Sequence, residues 1–419
     1  MPAPARPPLS QREFVGLMAS CMGMVALSID VMLPAFPDIR ADFGLSADST
    51  ETSWIVTAFF LGLAVGQLVY GPLSDRFGRK PLLYTGLSIM VVASAASALA
   101  PSLVVVIAFR VLWGMGAAAP RSLALAMVRD TYGGDMMART MSLIMATFVL
   151  VPVLAPGLGS LILAIAPWRT LFWVPALAAL GVMLWARRMP ETLPLDRRRS
   201  TSPAAILEAA REVVRTPQTV GFGIALMCIF GIMTSYIGGS ELIIDEVFGR
   251  EDQFALIFGA LALFMAAGSF FNARFVVRIG LQRVLRYGAL YLVGAATLLT
   301  IIAVVSGGTP PLFLFALAVA VLLPSVAVIM PNANTAAMQP LPHVAGTAAA
   351  ILGTVSTAGG ALLGSVIDSR FDGTIRPFAQ GVLVYALVAA AGILLLGLRG
   401  APARQRSEPV AVRPIPAED

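Results

Sequence analysis

Gly71-Pro72-Leu73-Ser74-Asp75-Arg76-Phe77-Gly78-Arg79-Lys80 is the stretch from which the fold is read. It separates two long apolar runs, at 54–70 and 82–100. A helix that crosses a bilayer needs about 20 mainly apolar residues, so both runs qualify and the decapeptide is a tight loop at a membrane face. Cations in short loops mark the cytoplasmic side. That accounts for Arg76, Arg79 and Lys80, but not for Asp75 or for the placing of Gly71 and Gly78.

The rest of the chain is of the same kind. Of 419 residues, 58% are hydrophobic and 12% charged, about half the charged share of a soluble domain. The protein is therefore a polytopic membrane protein, with the lipid bilayer as solvent for most of its length. A net charge of +6 invites a nucleic-acid reading. The cations instead gather in loops on one face, as topology requires, so no nucleic-acid partner is expected. Cys21 and Cys228 both lie in apolar runs and imply no disulfide framework. The Pro-rich start leads into a long apolar run with no small-residue cleavage site, which reads as a tail before an uncleaved first span.

Twelve apolar runs are present, at about 14–36, 52–71, 82–100, 103–127, 141–165, 169–187, 219–244, 254–276, 283–305, 311–330, 344–367 and 377–398. An even number puts both termini on one side. With both in the cytoplasm, 22 of the 29 cations fall in cytoplasmic segments, the bias expected of inner-membrane proteins. Arg40, Arg169, Arg250, Arg370 and Arg376 fall on the opposite face, and Arg110 and Arg121 inside span 4. The expected fold is all-α: twelve transmembrane helices in two pseudo-symmetric six-helix bundles, 14–187 and 219–398. A cytoplasmic linker at 188–218 would join them, with a short amphipathic helix near 204–214 and disordered cytoplasmic tails at 1–13 and 399–419. The halves echo one another. Offset by 202 residues, Arg76 and Gly78 fall on Arg278 and Gly280, while Val277 stands where the first copy has Asp75.

The 71–80 stretch resembles the loop 2–3 signature of the major facilitator superfamily, G-x-L-x-D-R-x-G-R-K, with every signature position filled. The resemblance implies parallel halves that alternate access to a central site. It also implies a gating role for Gly71, Asp75, Arg76, Gly78 and Arg79. The signature aspartate would sit against the N-terminus of span 11 and a cation at the end of span 4, for which Arg129 is the matching residue. A loop cap is the plainer alternative for Asp75. Arg110-Val111-Leu112-Trp113-Gly114-Met115-Gly116 resembles the span 4 signature. An arginine always keeps its charge, so within a bundle it needs acceptors or water. It would act on a nearby carboxylate or on substrate; snorkelling to the interface is the alternative. Arg121, eleven residues on, falls near the same helix face and is a candidate for the same cavity or for a packing role.

Asp30-Val31-Met32-Leu33-Pro34-Ala35-Phe36-Pro37 resembles the span 1 pattern D-x-x-L-P-A-x-P of the bicyclomycin-resistance (Bcr/CflA) branch. An ionised acid inside a bilayer is costly, which suits a proton carrier; an acid near enough to the surface to stay wet is the alternative. Glu241, late in span 7, is either a second acid for protons or cationic substrate, or an interface residue grouped with Asp245 and Glu246. Pro152, Ala155, Pro156, Gly157 and Gly159 resemble the antiporter signature of span 5, G-P-x-x-G-G, with Ala155 and Ser160 as departures. Kinking and tight packing explain the same residues without antiport. Gln67, Tyr236, Thr354, Ser356 and Thr357 are cavity candidates or interhelical hydrogen-bond partners.

No phosphate loop of the form G-x-x-x-x-G-K-[ST] occurs, and no metal cluster accompanies the sole histidine, His343. Neither an enzyme nor a cofactor is expected, and the proton gradient would supply the energy. The resemblance implies a multidrug:proton antiporter of the bacterial inner membrane, exporting small lipophilic or cationic compounds and acting as a monomer. A metabolite exporter or uptake symporter of the same fold, and a non-transporting receptor or scaffold, are the rivals. Buried Asp30 and Arg110 argue against the scaffold, which has no need of intramembrane charge.

Overall fold

The structure is a computed structural model, and it describes residues 9–195, 198 and 203–398. Residues 1–8 and 399–419 of the expected tails, and 196–197 and 199–202 of the linker, lie outside the described residues.

Twelve long helices follow one another. The first half holds α1 (Gln11–Asp30), α2 (Trp54–Phe77), α3 (Arg79–Ala98), α4 (Leu103–Thr131), α5 (Gly134–Leu163) and α6 (Thr170–Ala186). The second holds α7 (Pro217–Leu242), α8 (Phe254–Ile279), α9 (Leu281–Val305), α10 (Leu312–Met338), α11 (Ala345–Asp368) and α12 (Arg376–Ala391). Ten of these stretches are long and apolar enough to cross a membrane; α6 and the apolar part of α5, Leu150–Leu163, are shorter. The linker carries the expected helix, at Pro203–Arg215.

The ends follow from local chemistry. Helix α1 starts within the stretch read as a tail, because Ser10 and Glu13 form a capping box: Glu13 N–H donates to Ser10 Oγ at 3.3 Å and Ser10 N–H to Glu13 Oε2 at 3.1 Å. The first apolar run was expected to continue to 36, but α1 stops at Asp30. Pro34 and Pro37 lack N–H donors, and the chain passes through a 3-10 turn, Leu33–Ala35, into a short helix, Phe36–Asp42. Gly78 (φ +102°) joins α2 to α3, and Gly280 (φ +88°) joins α8 to α9. These are the positions that the 202-residue echo pairs, and both take a backbone conformation that a side chain resists.

Small residues bring the helices together. A Cβ on Gly62 of α2 would overlap Val111 O of α4, and one on Gly114 of α4 would overlap Phe59 O of α2. The halves meet along two seams, α2 against α11 and α5 against α8. Thr354 Oγ1 of α11 donates to Ala64 O of α2 at 3.0 Å, and Gly259 of α8 faces Val153 O of α5. Phe60 of α2 and Phe230 of α7 pack edge-on with centroids 5.0 Å apart. At the signature-loop face, Gly71 and Gly346 each have open space beside them. The protein is closed at the opposite, far face.

Candidate functional site

Asp30 sits where α1 breaks. It is 4% exposed, and no hydrogen bond or ion pair holds its carboxyl among the described residues. Around it the backbone is held from three sides. Arg110, fully buried, donates from Nη1 to Ser28 O at 2.8 Å and from Nε to Ile55 O at 3.0 Å, and its Nη1 lies 3.6 Å from Met32 Sδ. Gly159 of α5 packs so closely on Val31 O that a Cβ would overlap it. The Leu33–Ala35 turn that follows packs on α7 of the other half.

The arginine therefore does not salt-bridge the acid. Its charge is met by two carbonyls and by the faces of Phe59 and Trp113, each centroid 4.7 Å from the guanidinium carbon. Arg110 fixes the chain two residues before and two after Asp30 and leaves the carboxyl free. Nη2 of Arg110 and the Tyr236 hydroxyl are buried without a partner.

Glu241 is 2% exposed and engaged. Both of its oxygens accept from Arg40, at 3.0 and 2.8 Å, and Arg40 also reaches Thr52 Oγ1 at 3.3 Å. Asp245 lies 4.0 Å from the same guanidinium. Glu241 is thus paired with a cation of the other half and stands beside Asp245. Arg40 belongs to the first half and Glu241 to the second, so the pair ties the halves at the far face.

The signature loop forms a network within the first half. Arg79 donates to Asp75 Oδ1 at 2.6 Å, to Ser74 Oγ at 2.6 Å and to Asp130 Oδ2 of α4 at 2.9 Å. The expected partner of Asp75, Arg129, is exposed and makes no hydrogen bond or ion pair among the described residues. Arg79 lies one turn on and reaches first, and Asp130 is the α4 residue that joins. Among the described residues no hydrogen bond or ion pair joins Asp75 to α11. Glu191 of the linker accepts from the N–H groups of Arg79 (2.9 Å) and Lys80 (3.0 Å), capping α3. Arg76 lies 5.1 Å from the ring of Phe77 and takes no part.

Elsewhere in α5, Ala155 is buried while Gly157 has open space beside it. Of the cavity candidates, Thr354 is an interhelical hydrogen-bond donor and Ser356 bonds to Leu352 O within its own helix. Gln67 abuts Gly353, and Thr357 is buried. Arg121 is half-buried and makes no hydrogen bond or ion pair among the described residues.

The profile of the Major Facilitator Superfamily matches residues 18–364. The chain belongs to the Major Facilitator Superfamily. Among its relatives is an uncharacterized MFS-type transporter of Bacillus subtilis, YdgK, 31% identical over 84% of this chain and 87% of that protein. A bicyclomycin resistance protein homolog of Haemophilus influenzae is 28% identical over 91% and 97%. A chloramphenicol resistance protein of Pseudomonas aeruginosa is 30% identical over 88% and 86%. These relatives carry the Bcr/CflA resemblance along nearly the whole chain. Solved structures share the fold. The D-xylose-proton symporter superposes with a TM-score of 0.73 at 13% identity, over 93% of this chain and 99% of that one. The human organic anion transporter MFSD10 gives 0.70 at 20%, over 93% and 100%.

Within this superfamily fold, sequence reasoning missed Arg40, Asp130, Glu191 and Asp368. Asp368 ends α11 at the far face, is 8% exposed and accepts from Ser235 Oγ of α7 at 2.6 Å. The apolar run ends at 367, which left Asp368 outside the expected span. In the sequence Arg40 reads only as a cation of the opposite face.

Proposed function

We propose that this superfamily member is a multidrug efflux transporter that exchanges small lipophilic or cationic compounds for protons by alternating access. The carrying observation is Asp30: an acid in the membrane interior, without a cation, at a helix break braced by Arg110 and Gly159 and adjoining α7 of the other half. The relatives named for bicyclomycin and chloramphenicol resistance support the substrate class.

The signature-loop face is cytoplasmic, by the bias of cations toward it, in the inner membrane of a bacterium. With the far face closed, this is then the inward-facing form. A cationic compound entering from the cytoplasm meets the carboxylate of Asp30 and favours its ionised state. After the halves rock, a proton from outside neutralises Asp30, the attraction is lost and the compound leaves outward. Closing the far face and releasing the proton inward resets the cycle. Arg110, held on fixed carbonyls, keeps the Asp30 segment in place while its charge changes. The energy source is the proton gradient, no cofactor takes part, and one chain is the working unit. The bundles 14–187 and 219–398 are the rocking bodies.

The test is accumulation of a fluorescent lipophilic cation in inverted vesicles energised by an imposed proton gradient. Uptake that a protonophore collapses supports the reading. Uptake that survives collapse of the gradient contradicts it.

A further inference from the structure

Asp368 closes the far end of α11 in a place the transport cycle above does not use. Its Oδ1 accepts from Ser235 Oγ at 2.6 Å. Its carboxyl lies against the α7 backbone, where a Cβ on Gly238 would come to 3.0 Å from Oδ2 and one on Gly239 to 3.1 Å from Oδ1. A cavity of about 20 Å³ adjoins it, room for one water. Thr50, Thr52 and Ser53 of the first half supply one wall, and Ser235, Gly238 and Phe378 of the second half supply the other. The carboxyl is thus covered by both halves at once.

No cation is paired with it among the described residues. None of the charged or titratable groups on the neighbouring elements is a hydrogen-bond or ion-pair partner of Asp368 among the described residues; Tyr236 of α7 stacks on Phe258, and Asp372 accepts from Thr374. On α7, Glu241 is engaged by Arg40 and Asp245 lies beside that pair, while Glu246 is exposed. Cys228 of α7 is a buried thiol. In the turn before α2, Glu51 is exposed. On α12, Arg376 is exposed and Tyr385 donates its hydroxyl to Leu363 O at 2.8 Å. On its own helix end, Arg370 is exposed. A buried carboxylate with one hydroxyl donor and no counter-charge is costly by comparison with the neutral acid.

We infer that Asp368 is a protonation site of the far gate: it holds a proton while α2, α7 and α11 are packed together and yields it to the outside solution when they part. Opening removes the wall of Thr50, Thr52 and Ser53 and lets water reach the carboxyl. The O–H bond then breaks, the proton goes to bulk water and the carboxylate remains hydrated. Closing reverses the step. The proton returns to the side it came from, so the site carries nothing across the membrane. It makes closure depend on the acidity of the far side. The closed form binds one more proton than the open form, so the closed-to-open ratio falls by up to tenfold per pH unit as pH rises between the two forms' titration points. Only the naming of the far side as outside rests on the function proposed above.

The measurement is the distance between spin labels at Ala47→Cys and Ser369→Cys, on exposed loops of the two halves, in purified full-length protein with Cys21 and Cys228 replaced by alanine. No drug is added, so the result is independent of the transport assay. Between pH 6 and 9 the wild-type side chain at 368 gives a growing long-distance fraction. Asp368→Asn holds the short distance at every pH, and Asp368→Glu, which keeps a carboxyl, restores the response. A flat wild-type profile overturns the inference even where no variant folds. So does a wild-type response in Asp368→Asn, or a distance that follows sodium at fixed pH.

Discussion

Arg40 grips Glu241 across the two halves of the protein, its Nη1 3.0 Å from Oε2 and its Nη2 2.8 Å from Oε1. The two residues are 201 positions apart and both are buried. Removing one member of such a pair leaves an uncompensated charge, at a cost of about 3–5 kcal/mol. The cost falls on the closed form, because opening lets the orphan reach water. Arg40→Ala should therefore shift the far gate toward open by on the order of a hundredfold or more. Labelling of a cysteine placed at Thr52 by a membrane-impermeant maleimide from the far side reads the shift. The swap Arg40→Glu with Glu241→Arg should recover part of the protection. Unchanged labelling in Arg40→Ala would remove the gate role.

Arg110 offers a second test. It satisfies Ile55 O and Ser28 O together and lies against two aromatic faces. A lysine ammonium is a point charge and lacks the flat fork that reaches these groups at once. Arg110→Lys should lower proton-driven drug transport at least tenfold with the protein still folded, as judged by size-exclusion profile. Wild-type transport by the lysine variant would show that the clamp on the Asp30 segment is dispensable.

Gly159 leaves no room for a side chain against Val31 O. Gly159→Val must push α5 away from the break in α1. Transport should fall while Gly157→Ala, at a position with open space beside it, stays near wild type. Equal loss in both would favour a helix-propensity effect over the close approach.

Glu191 caps α3 through the N–H groups of Arg79 and Lys80. Caps of this kind contribute about 0.5–2 kcal/mol. Glu191→Ala should lower Tm by a few degrees, with Glu191→Asp lying between. An unchanged Tm in the alanine variant would mean that the cap adds nothing to stability.

Much of this architecture is legible in the sequence because membrane physics writes it locally. Apolar length marks each helix, loop arginines mark a face, and Gly78 and Gly280 mark the corresponding corners of the two halves. Asp30 and Arg110 are legible for a related reason: a charge in an apolar run has no ordinary purpose. What the sequence hides is pairing at a distance. Glu241 has the same local look whether it is free or held by Arg40. Asp75 lies among three cations, and spacing alone does not show that Arg79 takes it while Arg129 stays in solvent. Asp368 falls one residue past an apolar run, and only the packing of Ser235, Gly238 and Gly239 around it shows that it is buried.

The central claim is that binding a cationic compound and protonating Asp30 are mutually exclusive. Linkage then requires drug binding to expel a proton. Tetraphenylphosphonium added to purified, weakly buffered protein should release up to about one proton per bound cation near neutral pH, read with a pH dye. Asp30→Asn should release none. Equal proton release from Asp30→Asn, or none from the wild type while the cation binds, would contradict the account.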